Sequence, residues 1–508
     1  MADVDAEIRR FAKSGVLVFA GTILELVLSF FGKVILAQYV DVRNFGVISL
    51  GLTVVTVVGA VSILGLHEGI ARNYPRFSGT EAVGVLKSSF YLGVASTVVA
   101  GAAVFLLARP IAIGIFSEPR LVPVLQVYAF VIPFAGTVRL SISATQAVNE
   151  VLPKIVVNNV LRPTSRLLFI GAAAIAGFGL LGTAFVYVLP LVLGGIVSLY
   201  FVARYTPLFE GGDWSPMFAD QLRFSLPLVV AGSISFLMGN ADTFMIGYFL
   251  PSASVGVYNI AYTLAQLLTV FLSSLGFLAV PLFSQFHDSG DIEGFSSIYS
   301  TITKWAVFAT VPAFLVFFFF PNEAISLTFG VKYVGGSLAL RIIAVGFFVS
   351  VLVGHAQSSL TAVGRTRFIL YGTVVASVLN VCLNFVLIPR MGIAGAAIST
   401  ATMYITLNVL FLAMLYSETG ISPISPGLVR PLLLITPVVT LVYLVFDVRD
   451  EPLVVIGSLL VGFAVIYAGA IFLGGGIGKQ ELMIIRSIES RYGLDLGLIR
   501  QLVSRYDR

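Results

Sequence analysis

Fourteen apolar stretches recur along the chain, and most of them approach or exceed the roughly 20 helical residues that cross a bilayer. Only 11% of the residues are charged and 58% are hydrophobic, whereas soluble domains carry about 25% charged residues. The sequence therefore predicts an all-α fold, a polytopic membrane protein with 14 transmembrane helices. The stretches are residues 15–39, 45–65, 85–108, 122–146, 155–177, 181–203, 224–249, 255–284, 305–320, 338–362, 368–388, 393–416, 430–446 and 452–474.

The distribution of basic residues predicts the orientation in the membrane. An even number of spans puts both termini on one side, and Lys and Arg are much more frequent on that side than in the opposite loops. The positive-inside rule then places both termini in the cytoplasm, with the protein in the plasma or inner membrane. The same bias accounts for the net charge of +5, so we expect no nucleic-acid partner.

The sequence predicts an internal repeat of one structural unit. Residues 36–51, LAQYVDVRNFGVISLG, align with residues 246–261, IGYFLPSASVGVYNIA, so that Gly46 falls on Gly256. Further short matches recur at a similar offset, and six spans in each half give both halves the same orientation. We therefore predict two lobes related by a pseudo-twofold axis along the membrane normal. These lobes are residues 1–210 and 211–420.

Two segments follow the predicted lobes and have no counterpart in the repeat. Residues 421–475 hold the last two predicted spans. Residues 476–508 mix apolar with charged positions, which is typical of a helix on the cytoplasmic membrane surface. A partner-binding helix is the alternative for this tail.

The sequence does not match the motifs of a phosphate-binding loop or of a metal site. The segment 474–480, GGGIGKQ, lacks the first glycine and the final Ser or Thr of a phosphate-binding loop. The single cysteine, Cys382, excludes a disulfide, and three scattered histidines do not suggest a metal site. We therefore expect no cofactor and no metal, and transport driven by an ion gradient, the membrane potential or the substrate's own gradient.

Six segments occur along the chain in this order: FGVISL, LGLHEGIARNYPRF, RFSLPLV, GYFLPSASVGVYNIAY, AVGRTRF and LIPRMGIAGAAIST. Together they resemble the oligosaccharide flippases of the polysaccharide transporter family, the Wzx-like flippases. This family shares a superfamily with the multidrug and toxin extrusion transporters and the lipid II flippases. The resemblance implies a two-lobed helical bundle around a central cavity. It also implies translocation of a polyprenyl-linked oligosaccharide, which carries a phosphate or pyrophosphate, to the outer leaflet.

Three arginines within the apolar stretches are candidate substrate-binding residues. Arg139 and Arg162 fall at similar depth on the cytoplasmic side, and Arg166 follows Arg162 by four residues on the same helical face. A charge near mid-bilayer costs at least about 2.5–3.5 kcal/mol, so it tends to face a cavity or a partner. Guanidinium groups bind phosphate in a bidentate manner. We hypothesise that these arginines attract the lipid phosphate; the alternative is that they reach headgroups of the inner leaflet.

His355 is a further candidate for substrate binding. It lies close to the repeat counterpart of Arg139 and would face the same cavity from the other lobe. The alternative is a histidine whose hydrogen bonds are satisfied by a neighbouring helix.

Three other charges in the apolar stretches are candidates for gating or ion coupling. Lys33 and Asp242 occupy nearly equivalent repeat positions, which suggests an ion pair that latches the outer side. In one rival interpretation Glu25 pairs with Lys33 within one helix, although eight residues of helix separate them by about 12 Å. In the other, Asp242 or Glu25 binds a coupling cation.

The leading functional hypothesis is a flippase for a lipid-linked oligosaccharide that works by alternating access of two lobes, not an enzyme, and that functions as a monomer. A cation-coupled exporter of drugs or organic cations is the rival within transport, and Glu25 and Asp242 would favour it. A membrane glycan polymerase or transferase is the rival from another class, but the short outer loops show no paired carboxylates for acid–base catalysis. Charges within the spans argue against a purely structural scaffold.

Overall fold

The structure is a computed structural model that describes residues 2–424, 426–445, 453–474 and 476. These residues are predominantly helical, and no β-strand occurs among them. In a bilayer every backbone polar group of a single spanning segment must be satisfied internally, which a helix achieves. Of the predicted surface tail 476–508, all but residue 476 lies outside the described residues.

The helices of the first half are long, and short helical turns separate some of them. Two segments, Pro110–Ile115 and Ile155–Leu161, are π-helical. The α-helices are α1 Ala2–Tyr39, α2 Val42–Ser62, α3 Leu66–Asn73, α4 Gly79–Leu106, α5 Leu121–Ala129, α6 Val131–Ala147, α7 Leu152–Lys154, α8 Arg162–Ala176 and α9 Leu180–Tyr205. Tyr74–Arg76 and Pro207–Phe209 are 3₁₀ turns.

The second half contains the remaining described helices. Its 3₁₀ turns are Leu267–Thr269 and Val331–Gly336. The α-helices are α10 Phe218–Gly239, α11 Ala241–Phe249, α12 Ser252–Gln266, α13 Val270–Asp288, α14 Ile292–Phe319, α15 Pro321–Thr328, α16 Ser337–Val353, α17 Ala356–Ala362, α18 Thr366–Met391, α19 Ile393–Thr419, α20 Pro426–Val445 and α21 Leu453–Leu473.

Ten helical stretches among the described residues are long and apolar enough to cross a membrane. The predicted all-α, polytopic membrane fold is confirmed, whereas the number of fourteen spans stays a prediction. The four predicted spans beyond these ten also coincide with helices, namely α8, α10 with α11, α20 and α21. The fifth predicted span is divided, because the π-helical segment Ile155–Leu161 precedes α8 and Arg162 and Arg166 lower its apolar character.

The chain forms two compact units, which we describe separately. Unit one contains Met1–Ala261, Ile325–Gly336 and Ser377–Ser399, and unit two contains Tyr262–Ala324, Ser337–Ala376 and Thr400–Arg508. Unit one thus joins the first half of the repeat to three segments of the second half. The lobe boundaries at residues 210 and 420 stay a prediction.

Each unit has its own apolar core. In unit one a buried cluster joins the end of α2 to α3, α4, α6 and α9, and Leu66, Leu86 and Leu140 in it are fully buried. In unit two a cluster joins α13, α14, α17 and α19 around Phe283 and Tyr299, which are also fully buried. These cores hold the helices that carry the polar clusters described next.

Candidate functional site

The first polar cluster lies where α1 meets the π-helical segment before α8, within unit one. Asn159 Nδ2 donates a hydrogen bond to Glu25 Oε2 over 2.7 Å. Arg162 Nη1 donates to Asn158 Oδ1 over 3.0 Å, and Arg162 is close enough to Glu25 for an attractive electrostatic interaction. Glu25 lies in one of the candidate membrane spans, Ala20–Tyr39, where it is half-buried.

Local backbone structure brings these residues together. The π-helical turn Ile155–Leu161 ends next to Pro163, which has no backbone N–H to donate to the preceding turn. Such wide turns are frequent at functional sites. Asn159 is only 3% exposed, and Gly21 of α1 faces it, because an ideal Cβ on Gly21 would lie 3.2 Å from the Asn159 Cβ atom. The small residue allows α1 to approach the turn.

Two arginines and a lysine give this cluster an excess of positive charge. Arg166 follows Arg162 by one helical turn, and its guanidinium lies 5.0 Å from the centre of the Tyr187 ring. The Nε atoms of Arg162 and Arg166 are buried and have no hydrogen-bond partner. Lys33 of α1 is within electrostatic range of Arg166. The four charged residues of the cluster are therefore three cations and one carboxylate.

Arg139 lies near this cluster but outside its hydrogen bonds. Its side chain is exposed, and electrostatic interactions couple it to Arg162 and to His67. The structure thus places Arg162 and Arg166 side by side and Arg139 within electrostatic range of Arg162. Their role in binding a substrate stays a prediction.

The second polar cluster surrounds Asp242 at the start of α11, also within unit one. Asp242 Oδ2 accepts a hydrogen bond of 2.7 Å from Tyr258 Oη. Asp242 Oδ1 accepts bonds of 3.1 Å from Asn380 Nδ2 and 2.5 Å from Asn384 Nδ2. Asn384 also donates to Asn380 Oδ1 over 3.1 Å, while its own Oδ1 is buried without a partner. Two amide NH2 groups and one phenol hydroxyl therefore donate hydrogen bonds to this one carboxylate.

The predicted Lys33–Asp242 latch and the Glu25–Lys33 pair stay predictions. The hydrogen bonds described above connect Glu25 to Asn159, and Asp242 to Tyr258, Asn380 and Asn384. Sequence reasoning missed these amides, although a signal was present: Asn380 and Asn384 lie four residues apart in an apolar run and so share a helical face.

His355 lies in unit two, at the residue before α17. It is 7% exposed and hydrogen-bonds to the backbone of Leu272, while its Nε2 atom is buried without a hydrogen-bond partner. An ideal Cβ on Gly276 would lie 3.2 Å from the imidazole Cε1 atom, so the ring packs tightly against α13. The bond to Leu272 agrees with the alternative that a neighbouring helix satisfies the hydrogen bonds of this histidine. A role of His355 in substrate binding stays a prediction.

Solved structures share this fold over most of the chain. A lipid II flippase, MurJ, in an inward closed conformation matches with a TM-score of 0.73 at 15% identity, over 92% of this chain and 99% of that one. An inward-facing multidrug resistance MATE family transporter of the MOP superfamily matches with a TM-score of 0.65 at 15% identity, over 78% and 94% of the two chains. At such low identity the likeness shows the fold alone.

Sequence comparison gives a more specific relationship. The chain is 29% identical over 183 residues to Agl15 of Haloferax volcanii, which is named a probable low-salt glycan biosynthesis flippase. That match covers 35% of this chain and 38% of the relative. The family model described as polysaccharide biosynthesis protein matches residues 35–338, more than half of the chain. The chain therefore belongs to the polysaccharide biosynthesis protein family.

Proposed function

We propose that this multi-pass membrane protein is a flippase for a polyprenyl-(pyro)phosphate-linked oligosaccharide. It moves its substrate from the cytoplasmic to the outer leaflet of the plasma or inner membrane, for surface polysaccharide or glycan assembly. Both termini lie in the cytoplasm, and two lobes alternate in access. Membership of a polysaccharide biosynthesis family and the partial match to a probable glycan flippase support this proposal.

The observation that carries the proposal is the pair Arg162 and Arg166. Two guanidinium groups one helical turn apart, each with a buried Nε lacking a hydrogen-bond acceptor, supply donors for a phosphate or pyrophosphate. The planar guanidinium matches phosphate oxygens in a bidentate arrangement. Arg139, within electrostatic range of Arg162, adds positive charge that attracts an anionic substrate.

Glu25 limits this positive charge in the unloaded state. Its carboxylate interacts with Arg162 and accepts a hydrogen bond from Asn159. When a phosphate binds, it competes with Glu25 for Arg162, so binding of substrate is coupled to a rearrangement between α1 and α8. Lys33, near Arg166, belongs to the same charge balance.

Asp242 is proposed to couple transport to a cation. In the structure the amide NH2 groups of Asn380 and Asn384 face the Asp242 carboxylate, and Asn384 also donates to Asn380 Oδ1. Hard cations prefer oxygen ligands, so a cation would displace these NH2 groups and bind the carboxylate and amide oxygens. The buried Asn384 Oδ1, which accepts no hydrogen bond, is an oxygen ligand that such a cation could use. In this account Asp242 drives the conformational cycle and does not contact the substrate.

Export of organic cations is the second candidate function. The two carboxylates Glu25 and Asp242 within the membrane-spanning part favour it, because they attract cations. The arginines oppose it, because Arg162 and Arg166 repel a cationic substrate. We therefore prefer an anionic, phosphate-bearing substrate, and we propose His355 as a further substrate-binding residue.

Single alanine substitutions at Arg139, Arg162 and Arg166 test the proposal in cells that depend on this protein for glycan export. With membrane levels held equal, each variant should lower export, most strongly at Arg162. Arg204→Ala is the matched control, because Arg204 is exposed at the end of α9. Unimpaired export in all three variants would overturn the proposed phosphate site.

A further inference from the structure

Two backbones are in direct contact near the α1–α2 junction of unit one, which we call the α1–α2 end. Helix α2 of the first half meets α12 of the second half at two glycines. An ideal Cβ on Gly46 would lie 1.7 Å from the Ser252 carbonyl oxygen, and one on Gly256 would lie 2.8 Å from the Val42 carbonyl oxygen. Small residues of this kind permit close helix approach within a membrane.

A buried carboxylate lies beside this crossing. Glu118, between α4 and α5, has a side chain only 5% exposed. Arg43 donates two hydrogen bonds to it, from Nε to Oε2 and from Nη2 to Oε1, each of 3.0 Å. Ser252 Oγ donates to Oε2 over 3.0 Å, and the Arg120 amide to Oε1 over 3.3 Å. One carboxylate therefore ties α2 and the α4–α5 junction to the start of α12.

A second set of contacts joins the two halves at the same end. Lys332 Nζ donates to the carbonyl oxygens of Gln38 and Val40 over 3.0 and 2.6 Å. Tyr333 Oη donates to Ala37 O over 3.0 Å, and Gln38 Nε2 to Thr328 O over 2.8 Å. The bonds to Ala37 and Gln38 satisfy carbonyls in the last turn of α1 that lack helical partners. Lys332 also places a cation there, where the helix dipole favours it.

The chemistry of these contacts suits a closure that opens and re-forms. Hydrogen bonds between charged and polar groups are directional, so they hold one register when the end is closed. When the end separates, water takes over the bonds of Glu118, Arg43 and Ser252. A variant that removes one partner leaves a polar group buried and unsatisfied only while the end is closed. Such a variant therefore raises the free energy of the closed state relative to the open state.

We propose that Glu118, Arg43 and Ser252 form a reversible lock that holds the α1–α2 end closed. With the predicted orientation this end faces the outside, so the lock keeps the outer side shut until it breaks in each transport cycle. The place of the lock in a cycle rests on the proposed function. The contacts of the lock are present in this structure, and the lock is tested without a substrate.

Cysteine cross-linking measures the closure. In a Cys382→Ser background, the pair Gln38→Cys and Thr328→Cys reports on the separation at this end, because the Gln38 side chain contacts the Thr328 backbone. Neither residue belongs to the lock. The purified full-length protein is treated with a short bis-maleimide, and the cross-linked peptide is followed by mass spectrometry. A membrane-impermeant maleimide reports the exposure of position 38 in parallel.

We expect Glu118→Gln and Ser252→Ala each to slow cross-linking, by about tenfold for the carboxylate, and to raise maleimide labelling. Ser252→Ala removes a single hydroxyl, so it addresses the lock even if Glu118→Gln folds poorly. Glu81→Gln, an exposed glutamate at the start of α4, should leave both readouts unchanged. Unchanged cross-linking in both lock variants, with normal gel-filtration profiles, would overturn the lock.

A transport experiment separates this proposal from the proposed function. If the lock variants open the end but no lipid-linked oligosaccharide is transported by the parent protein, the lock stands and the flippase assignment fails. If the parent transports and the variants cross-link as the parent does, the flippase assignment stands and the lock fails.

Discussion

Gly46 and Gly256, which the repeat alignment makes equivalent, touch each other in the structure. An ideal Cβ on Gly256 would lie 3.1 Å from the Gly46 nitrogen and 3.3 Å from its Cα. Two residues related by a twofold axis meet only beside that axis. A predicted pseudo-twofold axis that passes beside the crossing of α2 and α12 would bring these two glycines together. The two halves of the chain meet at this crossing.

Gly46→Ala should destabilise this contact. The added Cβ would overlap the Ser252 carbonyl oxygen, and overpacking of this kind costs typically about 1–3 kcal/mol. We expect a lower thermal unfolding midpoint in detergent, or slower cross-linking between positions 38 and 328. Gly59→Ala in the same helix is the control, because nothing lies within 4 Å of its ideal Cβ. Equal effects of the two substitutions would contradict a specific role for the crossing.

The closed end should tolerate mild acid. Burial raises the pKa of Glu118, but hydrogen bonds from Arg43, Ser252 and the Arg120 amide outweigh it, and the net pKa lies below the ordinary value of 4.5. The stabilisation by the carboxylate is therefore complete above pH 4.5 and is lost as the pH falls through the lower pKa of the closed state. A spin-label distance between positions 38 and 328 should stay constant from neutral pH to 4.5 and lengthen only below it.

The Glu118→Gln protein provides the control for this pH profile, because it has no carboxyl to titrate at that position. Its distance distribution should already be broader at neutral pH and should change little on acidification. A parent protein that opens between neutral pH and 4.5 would show that another group controls the closure.

Arg162→Lys should weaken transport although the positive charge is retained. Lysine cannot present the bidentate fork that matches a phosphate, and it cannot reproduce the bond from Nη1 to Asn158 with the same geometry. We expect a loss of about tenfold in the export rate. Arg204→Lys, at an exposed site, should export normally, and a fully active Arg162→Lys protein would indicate that charge alone is sufficient there.

Asp242→Asn should uncouple transport from its cation. The substitution keeps the shape of the side chain but removes the charge that Tyr258, Asn380 and Asn384 stabilise. The dependence of transport on a sodium or proton gradient should be lost, and Asn384→Ala should weaken it. Asp220→Asn, an exposed residue in the first turn of α10, should retain the dependence. Full gradient dependence in Asp242→Asn would assign coupling elsewhere.

Much of the fold was predictable because it depends on long apolar runs. The membrane helices and the equivalence of Gly46 with Gly256 follow from local patterns and from a constant offset between repeats. The π-helical turn before Arg162 was not predictable, because Ile155–Leu161 has the composition of an ordinary helix. That turn contributes Asn159 to the cluster with Glu25.

Contacts between side chains far apart in the sequence were also not predictable. In the sequence, Glu118 resembles any acidic residue of a short loop. Its partners Arg43 and Ser252 lie 75 and 134 residues away. Which side chains meet depends on the rotation of each helix about its axis, and packing of the whole bundle sets that rotation. The arginines of α8 were found because a charge within an apolar run is conspicuous, whereas the neutral amides of Asn380 and Asn384 were not.

A reconstituted flipping assay tests the central claim most directly. Vesicles hold a polyprenyl-pyrophosphate-linked oligosaccharide with a fluorescent label on the glycan, and dithionite added outside quenches only the label that reaches the outer leaflet. With the parent protein we predict that nearly all of the label is quenched, and with the Arg139→Ala, Arg162→Ala and Arg166→Ala triple variant only the label initially outside. Persistent protection of the inner label by folded parent protein, in vesicles that still move a rhodamine-type organic cation, would contradict the account.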